Sequence, residues 1–270
     1  MTYIPTSIQY LGTKPFDGST ALAYIYLDES LDNCSDYFCT VDGVLYSADK
    51  SELLFYPPAK STTALTLPEG LTSLPVKAFA ENTKLTSVSL PSTLTEIPDY
   101  AFYHCKALTS MTIPGGIQTI GNHVWERCDV LASITIPASV TDLGTHAFDS
   151  CWALTTVSLQ NTMTEIPEAT FRRCKALTSV TIDDTESLTS IGKQAFDSCI
   201  VFKGFEGKYE IINDTAFFTM PSQLTTIKEA AFKDCQVIYS PIFPNTLKTI
   251  GARAFLRCKY SNNEYSTNFR

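Results

Sequence analysis

The sequence writes nearly the same fourteen residues twice, AFYHCKALTSMTIP at 101–114 and TFRRCKALTSVTID at 170–183, and the 69 positions between them are three times 23. Recurrence at a period of this size means that one supersecondary unit is laid down repeatedly, each copy covering the apolar face of the next. Aligned on the aromatic three residues before each cysteine, Phe79, Phe102, Trp125, Phe148, Phe171, Phe196, Phe232 and Phe255 mark eight units. Seven cysteines, Cys105, Cys128, Cys151, Cys174, Cys199, Cys235 and Cys258, follow at intervals of 23, 23, 23, 25, 36 and 23, and the first unit carries Asn82 in their place.

Each unit holds two apolar phrases. The first is L-x-x-L-x-L, as in Leu108/Met111/Ile113 or Leu154/Val157/Leu159, and its last apolar positions alternate with a polar one, the mark of a strand buried on one face. Proline commonly ends it, at Pro91, Pro114, Pro137, Pro221 and Pro244, because proline gives no donor to a ladder. The second phrase, Ile117/Ile120 or Val140/Leu143, leads into A-F-x-x-C. The three-residue spacing from aromatic to cysteine predicts a short helix or 3-10 turn with both side chains inward. One unit of 23 residues buries too little to offset its own ordering, so the units are expected to stack, their strands about 4.8 Å apart.

These phrases resemble the BspA-type leucine-rich repeat, L-x-x-[LIV]-x-[LI]-P-x-x-[LIV]-x-x-I-x-x-x-A-F-x-x-C. The match is fullest at 85–105, 108–128, 131–151 and 154–174 and extends over about 62–258. The resemblance implies an α/β repeat solenoid: a right-handed leucine-rich-repeat coil with a parallel β-sheet on one face, short helical or 3-10 segments on the other, and a β-rich N-terminal cap. The expected organisation is a capping region over 1–61, a solenoid of eight units over 62–258, and a polar tail over 259–270 that is either a loose cap or the start of further chain. Within the cap, the apolar runs 44–46 and 53–56 around SADKSE read as a hairpin, while 1–40 stays unassigned. Stacked equivalent positions would form inner columns of rings (Phe102, Trp125, Phe148, Phe171, Phe196) and of thiols (Cys105, Cys128, Cys151, Cys174, Cys199).

The register breaks in two places. Two extra residues fall near 183–187, and a larger excess falls within 200–214, where Phe202, Phe205 and Tyr209 are interleaved with charge. Two readings of that insertion stay open, a contact loop for a partner or a hairpin packing its own aromatics.

The chemistry of the chain is sparse. Cysteines stacked in a line do not converge on one point as a zinc site requires, so they read as buried thiols. Cys34 and Cys39 lie outside the series, and a local bridge between them is an open alternative. His123 and His146 share an offset without further ligands and read as surface histidines, and Glu96 and Glu165 stand three coils apart, beyond the reach of a carboxylate pair. No nucleophile-elbow, phosphate-loop or zinc-helix motif occurs. The reading is therefore non-enzymatic, with no catalytic residue, metal or cofactor. A net charge of −8 without any basic run argues against nucleic acid, and no stretch has the length of a membrane span. The opening MTYIPTSIQYLGTK has no leader pattern, so an exported form would have lost its leader.

In the five units from Leu85 to Leu177 the outward strand positions are Ser or Thr except Ala132. They read either as a solvated sheet face or as a recognition face on which leucine-rich repeats commonly bind. The candidate contact residues are Thr109, Ser110, Thr112, Ser133, Thr135, Thr155, Thr156 and Ser158, with Phe202, Phe205 and Tyr209 of the insertion. The resemblance implies a cell-surface or secreted protein that adheres to proteins of a matrix or of another cell, with a structural spacer in a larger surface protein as the alternative.

Overall fold

The computed structural model describes all residues except 13, 14, 17, 29–32, 161–162, 183–186, 206–208, 213–214, 237–239 and 260–270, and only the backbone of 209–212, 215–218 and 240. The N-terminal region opens with a parallel pair, β1 (Thr2–Ile4) and β2 (Ile25–Leu27), followed by an antiparallel meander of β3 (Phe38–Val41), β4 (Val44–Ser47) and β5 (Leu53–Phe55). β3 turns into β4 through Asp42 and Gly43, whose φ angles of 49° and 69° give the left-handed pair that a two-residue hairpin needs. The meander alternates its side chains between two cores. Phe38 and Leu45 pack with Ile4, Ile25 and Leu27 on one side, while Cys39, Val44, Tyr46 and Leu53 join the solenoid core on the other. Lys60 is buried beneath this region, its ammonium 2.8 Å from the Asp42 carboxylate and over the ring of Tyr24.

From there each coil supplies a first and a second strand. The first strands are β6 (Ala64–Thr66), β7 (Ser87–Ser89), β9 (Ser110–Thr112), β11 (Ser133–Ile136), β13 (Thr156–Leu159), β15 (Ser179–Ile182) and β17 (Gly204–Phe205). The second strands are β8 (Glu96–Ile97), β10 (Thr119–Ile120), β12 (Asp142–Leu143), β14 (Glu165–Ile166), β16 (Ser190–Ile191), β20 (Thr226–Ile227) and β22 (Thr249–Ile250). β18 (Tyr209–Ile212), β19 (Thr215–Thr219) and β21 (Ser240–Ile242) form a further sheet in which β18 is antiparallel to β19 and β19 is parallel to β21. All coil-to-coil pairings are parallel and in register, Val157 opposite Ile134 and Val180, for example, so like residues stack on like.

The third face of the coil corrects the expectation of helices. Among the described residues it contains no helix, α or 3-10, and the architecture is an all-β solenoid of the leucine-rich-repeat kind. The cause lies in the backbone at the residue before A-F-x-x and at the last residue of that motif. Two residues four apart take left-handed φ in every unit: Tyr100 and His104, His123 and Arg127, His146 and Ser150, Ala169 and Arg173. Successive amides then point in opposite directions. In the first unit Ala78, Ala80 and Asn82 donate to carbonyls three residues back, whereas Lys77, Phe79 and Glu81 donate to Asp99, Ala101 and Tyr103 of the following coil. A helix would turn every amide back along its own chain. Here half of them tie one coil to the next, which offsets a left-handed cost of about 1–2 kcal/mol per residue.

The interior is filled by columns. The rings of Phe79, Phe102, Trp125, Phe148, Phe171, Phe196, Phe232 and Phe255 stack with centroids 5.0–6.4 Å apart, and Tyr56 closes the N-terminal end edge-on at 5.1 Å. At the corner after each second strand the backbones of neighbouring coils come so close that a Cβ on Gly144 would land on the carbonyl of Gly121.

Candidate partner-binding faces

The first strands present L-x-x-L-x-L with its three apolar residues inward, leaving two kinds of hydroxyl on the outside. Residues directly after the first Leu are engaged within the fold. The hydroxyls of Thr86, Thr109, Thr155 and Thr178 donate to the carbonyls of Thr63, Thr86, Ala132 and Thr155 in the preceding coil, each at 3.0 Å. The next outward positions, Ser110, Thr112, Ser133, Thr135 and Thr156, are exposed and have no side-chain hydrogen bond within the chain among the described residues; Ser158 is half-buried. Thr109 and Thr155 are exposed too, but their hydroxyls already serve coil stacking.

The insertion corrects a second expectation. Phe202 and Phe205 do not offer an exposed contact surface. Phe202 packs beside the stacked Phe196 and Phe232, at 4.5 Å and 6.3 Å, and Phe205 meets Phe196 and Phe202 edge-on. Both are buried, because they occupy the first two apolar positions of an L-x-x-L-x-L strand written with phenylalanine. Phe205, Thr219, Met220 and Pro221 align with Ile134, Thr135, Ile136 and Pro137, so the thirteen extra residues are 206–218. They carry the chain through β18 and back into β19. β17 is bonded to β15 on one side, while β19 is bonded to β21 on the other. Tyr209 begins β18, and its side chain lies outside the described residues.

Each cysteine of the series donates its S–H to the carbonyl of the column aromatic one coil earlier, at 2.9–3.2 Å: Cys105 to Phe79, Cys128 to Phe102, Cys151 to Trp125, Cys174 to Phe148, Cys199 to Phe171, Cys235 to Phe196 and Cys258 to Phe232. In the first unit the Asn82 amide donates to Pro58 and its oxygen accepts from Lys84 and Leu85. Burial pushes the Cys105 thiol up to about 12 and raises the others as well, holding them protonated and unreactive. Cys34 and Cys39 are joined in a disulfide.

The turn face is polar and partly paired. Tyr100, His123 and His146 stack at 4.6 Å intervals, and Glu126 lies 2.5 Å from Nδ1 of His123. The buried Asp149 is held by Arg172, Asp197 by Lys233 and Asp234 by Arg257. Glu96 and Glu165 sit in second strands three coils apart, and Glu165 pairs with Lys228. Among the described residues no group of His, Cys, Asp or Glu is arranged to hold a metal, and no helix is long and apolar enough to cross a membrane. Trp152, half-exposed where Cys151 turns into β13, is not singled out by the repeat pattern; the signal in the sequence is a tryptophan flanked in its column by Lys106, Asp129 and Lys175.

A family model for the BspA type leucine rich repeat region matches in six copies, over residues 52–178, 95–219 and 213–270. No curated protein matches. Among solved structures, a leucine-rich repeat protein from Eubacterium ventriosum is similar with a TM-score of 0.60 at 23% identity, covering 99% of this chain and 60% of that one. The pneumococcal vaccine antigen PcpA gives 0.65 at 23% identity, covering 75% and 49%, and a leucine rich cell surface protein from Faecalibacterium prausnitzii gives 0.50 at 22%, covering 86% and 77%. The alignment thus spans three fifths of the first protein's length and half of the second's, and at these identities the likeness is one of fold.

Proposed function

The chain belongs to the BspA-type leucine-rich repeat family, and on that premise we propose that it is a non-enzymatic protein-binding module carried at a cell surface or secreted, adhering to proteins of a matrix or of another cell. The observation that carries this reading is the first-strand sheet: Ser110, Thr112, Ser133, Thr135 and Thr156 stay exposed and unengaged while the interior positions are committed to packing. A parallel sheet of short hydroxylated side chains gives a broad surface for many weak polar contacts, to which the β18–β19 hairpin adds a local feature. The Cys34–Cys39 disulfide fits an oxidising, extracellular setting, and the surface location stated for the Faecalibacterium protein lends the same support.

The test is capture of purified extracellular-matrix proteins by the immobilised chain, measured by surface plasmon resonance. Thr135→Glu combined with Thr156→Glu is expected to weaken capture at least tenfold with an unchanged circular dichroism spectrum. Undiminished capture by that variant would remove the sheet from the account. A spacer within a longer surface protein is the second reading, favoured by the absence of Trp, Tyr and Arg from the outward strand positions between Thr86 and Thr181. A spacer captures none of these proteins, and its replacement by an unrelated solenoid of equal length leaves whole-cell adhesion intact.

A further inference from the structure

A second outward stripe lies where each coil passes from its turn face into its first strand. There the amide of Leu108, Leu131, Leu154 or Leu177 donates to the carbonyl of the cysteine three residues earlier, at 3.1–3.3 Å, closing a tight turn in every unit. The cysteine points inward, so the residues flanking it stack into two columns. Before the cysteine stand His104, Arg127, Ser150 and Arg173, and after it Lys106, Asp129, Trp152 and Lys175. The amide of Ala153 donates to the Asp129 carbonyl at 3.2 Å, fixing the Trp152 turn directly on its predecessor.

Trp152 is 51% exposed and Val130, on the adjoining coil, 41%. The indole makes no hydrogen bond or ring contact among the described residues, in contrast to the fully buried Trp125. Around it Lys106, Arg127, Arg173 and Lys175 are exposed, and none of them enters an ion pair among the described residues. The neighbouring acids are already committed, Asp149 to Arg172 and Glu126 to His123, which leaves Asp129. A local excess of cations around an exposed indole thus stands in a chain whose net charge is −8. Beyond these coils the same two columns continue as Ser198 and Ile200, then as Asp234 and Gln236, and then as Arg257, which is paired with Asp234, and Lys259.

We infer that this stripe binds an acidic protein segment, an extended run of Asp and Glu flanking an apolar side chain that lies on Trp152 and Val130. At about 4.8 Å per coil, Arg127 and Arg173 lie about 10 Å apart with Trp152 between them, and Lys106 and Lys175 about 14 Å apart. Four extended residues span that length at about 3.3 Å each. Guanidinium groups take carboxylates with two parallel hydrogen bonds, and an exposed Trp is the side chain on which binding energy most often concentrates. An apolar platform inside a ring of only four cations suits alternating acidic and aliphatic side chains better than the unbroken charge of a sulfated polysaccharide. The inference rests on the reading of the chain as a protein binder, but it uses a different face from the first-strand sheet.

The probe is a fluorescein-labelled peptide, Glu-Asp-Leu-Glu-Asp-Leu-Glu, titrated with the whole chain by fluorescence polarisation, beside the same peptide with Lys for every acid and beside heparin. The acidic peptide is expected to bind, more weakly as salt rises, and to shield the iodide-accessible tryptophan, which is Trp152. Trp152→Ala and the double variant Arg173→Glu with Lys175→Glu are each expected to weaken it at least tenfold while keeping the thermal midpoint. Thr135→Glu with Thr156→Glu is expected to leave it unchanged, so failure here and failure of the sheet reading are separable. Absence of peptide binding, equal binding of the Lys peptide, binding indifferent to Trp152→Ala, or capture of heparin in place of the peptide would each overturn the assignment. Should Trp152→Ala unfold the chain, Trp152→Phe and the charge reversal read the same outcome.

Discussion

At the scale of single residues, the cysteines explain themselves once their hydrogen bonds are known. A buried thiol fills the space of a small hydrophobe and also supplies a donor to a carbonyl in the coil below. Cys151→Ala removes both, and unfolding in urea is expected to show a loss of about 1–3 kcal/mol, with Cys151→Val losing mainly the donor, about 1 kcal/mol. The solenoid thiols are also expected to resist a thiol reagent until the chain unfolds, then to react together. Gly144→Ala forces a methyl group onto the carbonyl of Gly121, and a destabilisation of at least 2 kcal/mol is expected from the same melts. His146 is held below the ordinary imidazole value of 6.5 by burial first and then by His123 and Arg172. Its folded form therefore favours the neutral ring, so the unfolded chain binds more protons as pH falls below about 6.5 and stability declines from there. Burial, Arg127 and Lys106 act on His104 in the same direction. The thermal midpoint is expected to drop between pH 7 and pH 5, and His146→Gln to lessen the drop.

At the scale of elements, period and strands were legible because L-x-x-L-x-L admits one buried face and the 23-residue spacing admits one stacking. The turn face was not. Aromatic and cysteine three apart fit a short helix as well as a pair of tight turns, and the residues that break the helix, Tyr100, His123, Arg127 and Ala169, are not ones that announce left-handed backbone. The insertion was ambiguous for a different reason: Phe202 and Phe205 keep the three-residue spacing of the first two leucines, but aromatics beside lysine and glutamate fit a contact loop as well as a hairpin packing its own rings. Since 206–218 are the residues of this insertion that exceed the repeat, their excision is expected to leave a folded solenoid, with Thr219 and Met220 continuing the strand from Phe205. A chain that failed to melt cooperatively after this excision would show that β19 is needed to bond β21. The free hydroxyls, by contrast, could not be separated from the engaged ones by residue type, because Thr109, which donates to the Thr86 carbonyl, and Thr112, which makes no such bond among the described residues, are the same residue.

At the scale of the whole molecule, stability is distributed along one axis, each coil resting on the last. The β3–β5 meander matters because it presents one face to its own small core and the other to the first coil, where Tyr56 covers the ring of Phe79. Removing residues 1–60 is expected to bare Phe79 and the backbone edge at Thr72 and Ser73, which now bonds to Ser51 and Leu53, and size-exclusion chromatography should then show self-association. A monomer of unchanged stability would mean that the first coil needs no cover.

The sulfur and threonine bonds share a direction: donors on a later coil reach carbonyls on an earlier one, 26 residues back for Cys151 and 23 for Thr155. A chain leaving the ribosome amino end first can therefore make these side-chain bonds as each coil is added, whereas the turn-face amides, such as Phe79 to Ala101, wait for the coil that follows. Translation order and the order in which these side-chain bonds can close therefore coincide.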